Sequence, residues 1–164
     1  MEKKKRRAGR NKSRTCIYLL LFLSWFTYTA GSVGRMDYSA SMVAIIAETG
    51  ASKDSAGMVA SFFFFAYGAG QLVNGLLCHK YNTRYAIFAA LILSCGMNFV
   101  IPFLNSVSVM KYLWLVNGLA QSVLWSSLVK LQAEYLNDKD IAKCILIMST
   151  TTAAGTFIAY GISA

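Results

Sequence analysis

Residues 70–85 read GQLVNGLLCHKYNTRY and join two apolar runs through a short basic turn. The run before the turn covers residues 58–78, and the run after it covers residues 85–104. Each run is about 20 residues long, which as an α-helix reaches across a bilayer core of about 30 Å. The turn carries Lys80 and Arg84, and basic loops of membrane proteins lie on the cytoplasmic side. This stretch therefore predicts two membrane helices joined by a cytoplasmic turn.

The composition of the chain is that of a membrane protein with one basic tail. Of its 164 residues, 56% are hydrophobic and 14% are charged, against about 25% charged residues in a soluble domain. Half of the sixteen Lys and Arg residues lie within residues 1–14, so this tail holds most of the net charge of +9. We predict that residues 1–15 form a basic cytoplasmic tail. A nucleic-acid partner is not predicted, because no recognition motif accompanies the charge.

Five apolar segments predict five transmembrane helices, at approximately residues 16–46, 56–78, 85–104, 111–135 and 141–164. The segments are too long for membrane strands and do not alternate apolar with polar residues, so the predicted fold class is an all-α integral membrane protein. A cleaved signal peptide is the alternative for the first segment, but its apolar part is too long. The distribution of basic loops predicts a multi-pass protein of the cell membrane with a cytoplasmic N-terminus.

A sequence motif occupies the basic turn. The residues that carry it are Gly75, Leu77, His79, Lys80, Asn82 and Arg84. They resemble the G-x-L-x-D-R-x-G/N-x-R motif of the major facilitator superfamily, which lies between helices two and three on the cytoplasmic side. His79 stands at the acidic position, so the carboxylate that takes part in the family's charge relay is absent from the motif here. The resemblance implies part of an N-terminal six-helix bundle and a conformational role for the motif.

Within the superfamily, residues 28–136 resemble the organophosphate/phosphate antiporters, which exchange sugar phosphates or glycerol 3-phosphate for inorganic phosphate. The similar segments are GSVGRMDYSASM, TGASKDSAGMVASFFFFAYGAGQLVNG, NTR and NGLAQSVLW. The resemblance implies that Arg35 in the first helix binds phosphate. It also implies that Lys130 in the fourth helix assists this binding or acts as a gate. Met36 stands where the family has a second basic residue, which leaves a facilitator for another small organic solute open.

Arg35 is also a functional candidate from its position alone. If the first helix ends near Gly34, Arg35 lies among the lipid headgroups; if the helix continues to about Ala47, Arg35 lies inside the membrane. A charge there costs about 2.5–3.5 kcal/mol and is tolerated where it faces a polar cavity or a partner. The planar guanidinium suits bidentate contact with phosphate. Asp37 is about 200° around the helix and is not its natural partner.

Polar side chains at helical spacing mark two further stretches. They are Tyr67 and Gln71 in the second helix, and Asn117, Gln121 and Trp125 in the fourth. Such stripes either line a substrate path or form interhelical hydrogen bonds. We include all five among the predicted substrate-binding residues.

No enzyme activity, cofactor or metal is predicted. His79 is the only histidine, the four cysteines have no CxxC spacing, and no nucleophile has a base and an orienting residue at workable spacing. The predicted function is solute transport by alternating access. The predicted partners are membrane lipid and a small anionic solute such as an organophosphate or phosphate.

The resembled family places a second phosphate-binding arginine in helix seven, and this sequence has no helix seven. The chain is therefore expected to be the front part of a transporter, with the C-terminal half as a missing partner. A small membrane protein without transport activity is the alternative, in which Arg35 pairs with another subunit.

Overall fold

The computed structural model describes residues 14–163, excluding the side chains of residues 138, 139 and 163. Most of the predicted basic tail, residues 1–13, lies outside the described residues. Within them every regular element is helical, which confirms the all-α prediction. The long helices are α1 (Arg14–Thr49), α2 (Lys53–Leu77), α3 (Thr83–Val100), α4 (Val107–Tyr135) and α5 (Asp138–Ser163), and a short 3₁₀ helix (Ile101–Phe103) follows α3.

The first helix, α1, is uninterrupted over 36 residues. At 1.5 Å per residue it is about 54 Å long, well beyond a bilayer core of about 30 Å, so it must tilt or extend past the core. It ends at Thr49, and Gly50 follows with a φ of 66° that glycine tolerates. The Gly50 N–H donates to the Ile46 carbonyl. Because the helix does not end at Gly34, Arg35 lies near its middle with only 8% of its surface exposed.

The helix α4 is the centre of the bundle. It packs most extensively against α2 and then against α3, whereas α1 packs mainly against α5. Small residues allow close approach: a Cβ on Gly70 of α2 would lie 2.9 Å from Cβ of Ser122 on α4. Likewise, a Cβ on Gly155 of α5 would lie 2.5 Å from Cβ of Ser32 on α1. If α1 is matched with α4 and α2 with α5, the contact between α1 and α5 corresponds to the contact between α4 and α2. Inverted repeats produce this relation.

The same helix α4 is also more polar than its neighbours. Four helical stretches of the described residues are long and apolar enough to cross a membrane, namely α1, α2, Thr83–Phe103 and Asp140–Ile162. The helix α4 is not among them, since it carries polar residues that include Asn117, Gln121 and Ser122. All three are buried. The surrounding helices shield these groups from lipid, and α4 completes a bundle of five helices.

Buried apolar side chains form two clusters at different depths. One cluster includes Tyr38 and Trp114, and the other includes Tyr28 and Leu124. The two tyrosines are ten residues apart on α1, which corresponds to about 15 Å along the helix. Arg35 lies between them and interrupts the apolar interior.

Candidate anion-binding site

Arg35 is held between two tyrosine rings inside the bundle. Its guanidinium carbon lies 5.0 Å from the ring centre of Tyr67 and 5.4 Å from that of Tyr28, within the range of cation–π contact. One terminal nitrogen, Nη2, donates a long hydrogen bond of 3.4 Å to Ser32 Oγ. The Nε atom is buried and has no hydrogen-bond partner among the described residues. The rings stabilise the cation, but they do not neutralise it.

No carboxylate neutralises Arg35 within the part of the chain that the structure describes. The one salt bridge found there joins Lys130 to Glu134, and the neighbouring Asp37 is exposed on a different face of α1. A buried cation without a counterion is unfavourable in a medium of low dielectric constant. An anion that reaches Arg35 would therefore relieve an existing electrostatic penalty.

Three helices contribute aromatic side chains to this site. The Tyr28 and Tyr67 hydroxyl oxygens lie 3.0 Å apart, and the Tyr28 and Trp125 ring centres lie 4.9 Å apart. Tyr28 precedes Arg35 by seven residues, so both lie on one face of α1. The sequence prediction included Tyr67 and Trp125 but missed Tyr28, although its helical spacing from Arg35 was an available signal. The structure thus brings α1, α2 and α4 together around one positive charge.

Asn117 and Gln121, predicted as substrate-binding residues, form interhelical hydrogen bonds. Ser94 Oγ on α3 donates to Asn117 Oδ1 at 2.7 Å, and Gln121 Nε2 donates to Ser94 Oγ at 2.8 Å. Gln121 Nε2 also donates to the Gly31 carbonyl of α1 at 3.0 Å. These bonds tie α1, α3 and α4 together. Gln71 lies one turn beyond Tyr67 on α2 and is partly buried.

Lys130 does not join the Arg35 site. Its Nζ donates to the carbonyl oxygens of Cys78 at 2.6 Å and Tyr81 at 3.1 Å, and it lies 5.7 Å from the Tyr81 ring centre. Cys78 is eleven residues beyond Tyr67 on α2, which corresponds to about 16 Å along the helix. Lys130 instead binds carbonyl groups at the C-terminus of α2, where a cation is favoured by the unpaired carbonyls and the helix dipole.

The motif turn is organised by its backbone and by contacts with α4. The Lys80 N–H donates to the Leu77 carbonyl, and Asn82 Oδ1 caps α3 by accepting from the Arg84 N–H at 3.0 Å. Arg84 Nη2 donates to the Tyr135 hydroxyl at 3.5 Å. Of the other motif residues, Gly75, Leu77, His79 and Lys80 are all exposed. Lys130 and Arg84 therefore connect the turn between α2 and α3 to the end of α4.

Replacing Lys130 with methionine is expected to loosen this turn. The substitution keeps the length of the side chain but removes a charged donor, whose hydrogen bonds are worth about 1.5–3 kcal/mol. Amide hydrogen exchange of residues 79–82 should become about tenfold faster or more. The matched control is Lys80→Met, which removes an exposed lysine from the same turn. Equal exchange rates in the two variants would show that Lys130 does not hold the turn.

Comparisons with known proteins agree with the fold and with the motif. The sequence profile described as the Major Facilitator Superfamily matches residues 16–164. The chain is 27% identical to the membrane sensor protein UhpC of Escherichia coli K12 over 66% of this chain and 24% of that protein. No solved structure matches.

Other relatives are named as probable transporters. The chain is 22% identical to the probable hexose phosphate transport protein of Chlamydia muridarum over 83% of this chain and 30% of that protein. It is 23% identical to the protein of the same name from Chlamydia trachomatis over 87% of this chain and 30% of that protein. The chain thus spans about a quarter to a third of the length of the relatives that it matches. With the family profile covering all five helices, this chain belongs to the major facilitator superfamily.

Proposed function

We propose that this chain provides one wall of the substrate site in a transporter that exchanges an organophosphate for inorganic phosphate. The observation that carries the proposal is Arg35, a buried cation with no carboxylate partner among the described residues. The resemblance to hexose phosphate transport proteins supports the substrate class. Arg35 would bind the phosphate group, and the tyrosine pair beside it would donate one hydrogen bond, since one hydroxyl of the pair donates to the other.

The chemistry of Arg35 favours an oxyanion over a neutral solute. A guanidinium presents a planar set of donors that matches two oxygens of one phosphate group, and such charge-assisted hydrogen bonds are about twice as strong as neutral ones. The Nε atom of Arg35 has no hydrogen-bond partner in the described residues, and its Nη2 atom has only a long one. The Nε donor of Arg35 therefore remains for a ligand, and the long contact of Nη2 can be exchanged for one.

The proposed mechanism is alternating access. Transporters of this kind bind substrate between two halves that rock against each other. In this proposal, the bundle described above belongs to one half, and a second half supplies further contacts to the solute. The turn between α2 and α3, held to α4 by Lys130, would regulate movement at the end that the positive-inside rule places in the cytoplasm. Lys130 thus acts on conformation and does not contact the solute.

Counterflow in proteoliposomes tests this function with the complete polypeptide that carries this sequence. Vesicles loaded with phosphate are expected to accumulate labelled hexose phosphate, and external phosphate should compete with that uptake. Vesicles without internal phosphate are the control and should accumulate much less. Uptake of a solute that phosphate does not inhibit would contradict the proposal and support a facilitator for another small organic solute.

A sensor is the second candidate, because two of the matched relatives are named membrane sensor proteins. A sensor would use the same Arg35 site to bind the solute but would not carry it across the membrane. Binding can be detected from an increase in melting temperature on addition of hexose phosphate. Binding of hexose phosphate without counterflow would favour the sensor. Co-purification of a stoichiometric protein partner, with neither solute binding nor counterflow, would favour the partner-binding alternative.

A further inference from the structure

Three side-chain amides contact Ser94 of α3 in the interior of the bundle. Ser94 Oγ donates to Asn117 Oδ1 at 2.7 Å and accepts from Gln121 Nε2 at 2.8 Å. The Ser94 carbonyl accepts from Asn98 Nδ2 at 2.9 Å. We call these four residues the Ser94 cluster. The cluster joins two residues of α3 to two residues of α4.

Each of the three amides has one polar atom without a partner. Asn117 Nδ2 is a donor, whereas Gln121 Oε1 and Asn98 Oδ1 are acceptors. All three atoms are buried and have no hydrogen-bond partner among the residues that the structure describes. Because the other polar atom of each amide contacts Ser94, these three atoms also lie close to Ser94. Buried polar groups are nearly always hydrogen-bonded, so a ligand is expected here.

The Ser94 cluster is enclosed by three helices. Asn117 is 0% exposed and Gln121 is 1% exposed. On the side of α1, Gln121 Nε2 donates to the Gly31 carbonyl at 3.0 Å. A Cβ on Gly34 would lie 3.1 Å from Asn98 Nδ2, so this glycine lets the amide lie against the backbone of α1. Only a small ligand can occupy a site that is enclosed in this way.

We propose that the Ser94 cluster binds one ordered water molecule. A water molecule can donate two hydrogen bonds and accept at least one, which matches two acceptors and one donor without partners. The water accepts from Asn117 Nδ2 and donates to Gln121 Oε1 and Asn98 Oδ1. Buried waters typically make about three hydrogen bonds to polar groups that have no other partner, and this site supplies that number.

A metal ion suits the Ser94 cluster less well than water. The hydrogens of Asn117 Nδ2 carry partial positive charge and would repel a bound cation. None of the four residues has a carboxylate, which is the ligand that hard cations most often use in proteins. The cationic Arg35 also follows Gly34 directly in α1. This set of donors and acceptors therefore favours a neutral ligand that both donates and accepts.

The water supports the turn of α1 that carries Arg35. In an α-helix, the N–H of residue 35 donates to the carbonyl of residue 31. Gln121 donates to that same Gly31 carbonyl from α4. By binding Gln121 Oε1, the water fixes the orientation of the amide and so stabilises its hydrogen bond to Gly31. This role concerns the packing of three helices and does not depend on the solute that the protein binds.

A cryo-EM map of the complete protein tests the site, provided that the map shows ordered water elsewhere. We expect one spherical density about 2.7–3.2 Å from Asn117 Nδ2, Gln121 Oε1 and Asn98 Oδ1. A map that shows other buried waters but no density at this position would overturn the proposal. So would a density whose contacts to oxygen are all shorter than hydrogen bonds, since such contacts identify a metal ion.

A pair of variants tests whether these residues hold the water. Asn98→Leu keeps a side chain of similar shape but removes the acceptor, and the density should be lost. The matched control is Thr156→Val on α5. It removes another side-chain hydrogen bond to the carbonyl four residues earlier, which Thr156 Oγ1 makes to Thr152 at 2.8 Å. The control should keep the density. Equal density in Asn98→Leu and in the control would overturn the proposed set of ligands.

Discussion

Replacing Arg35 with glutamine is expected to weaken the binding of a hexose phosphate by about thirtyfold or more. Removing one partner of a buried, hydrogen-bonded charge pair costs about 2–5 kcal/mol, and 2 kcal/mol already corresponds to about thirtyfold. Equilibrium binding of labelled hexose phosphate to the complete protein measures this loss. Arg35→Lys should have an intermediate effect, because it keeps the charge but loses the planar set of donors.

The same Arg35→Gln variant is expected to be more stable than the unmodified protein when no ligand is present. Burial of an unpaired cation is unfavourable, and glutamine removes the charge while keeping a polar side chain of moderate length. A higher melting temperature combined with lost binding would distinguish a binding residue from a structural one. Lys80→Gln, which removes an exposed charge, should change neither quantity. Retained hexose phosphate binding in Arg35→Gln would exclude Arg35 from the site.

The second large effect is expected at Gly118, where α4 meets α2. A Cβ at this position would lie 2.5 Å from the carbonyl oxygen of Phe63 and 3.2 Å from Cβ of Ala66. Because the nearest atom belongs to the backbone of α2, the clash can be relieved only if the helices separate. Overpacking of this kind costs about 1–3 kcal/mol, so Gly118→Ala should lower the free energy of unfolding by at least that amount.

The matched control for Gly118 is Gly75→Ala on α2. A Cβ on Gly75 would meet nothing within 4 Å, and alanine in a helix is favoured over glycine by about 0.5–1 kcal/mol. This variant should therefore be as stable as the unmodified protein or slightly more stable. Thermal unfolding in detergent, followed by tryptophan fluorescence, compares the two. If Gly118→Ala melts at the same temperature as Gly75→Ala, the contact between α2 and α4 is looser than the distance of 2.5 Å to the Phe63 carbonyl oxygen indicates.

Much of the fold could be predicted from the sequence because the membrane restricts the choices. A polypeptide in lipid must pair its own backbone groups, so long apolar runs become helices. The position of Arg35 in such a run also indicated a buried charge. The superfamily was predictable because its motif depends on a few residues at fixed spacing in a short turn.

The surroundings of individual side chains were harder to predict. Tyr28 was missed because tyrosine is unremarkable in an apolar helix, and its role depends on how α1 is rotated against α2. Gln121 lies in a polar stripe that fits either a substrate path or a helix contact, and its hydrogen bond to Ser94 depends on where α3 lies. Lys130 contacts Cys78, which is distant in sequence, so its role depends on where α2 ends relative to α4.

The pairing of α1 with α5 has a consequence for synthesis of the protein. The ribosome releases α1 first, and the start of α5 at Asp138 lies 89 positions beyond the end of α1 at Thr49. At about 5–20 residues per second, the first helix waits roughly 4–18 s for its main partner. Throughout that interval, the face of α1 around Ser32, which Gly155 of α5 later contacts, is without its final neighbour. The early membrane intermediate is therefore the stage at which this protein depends most on the insertion machinery.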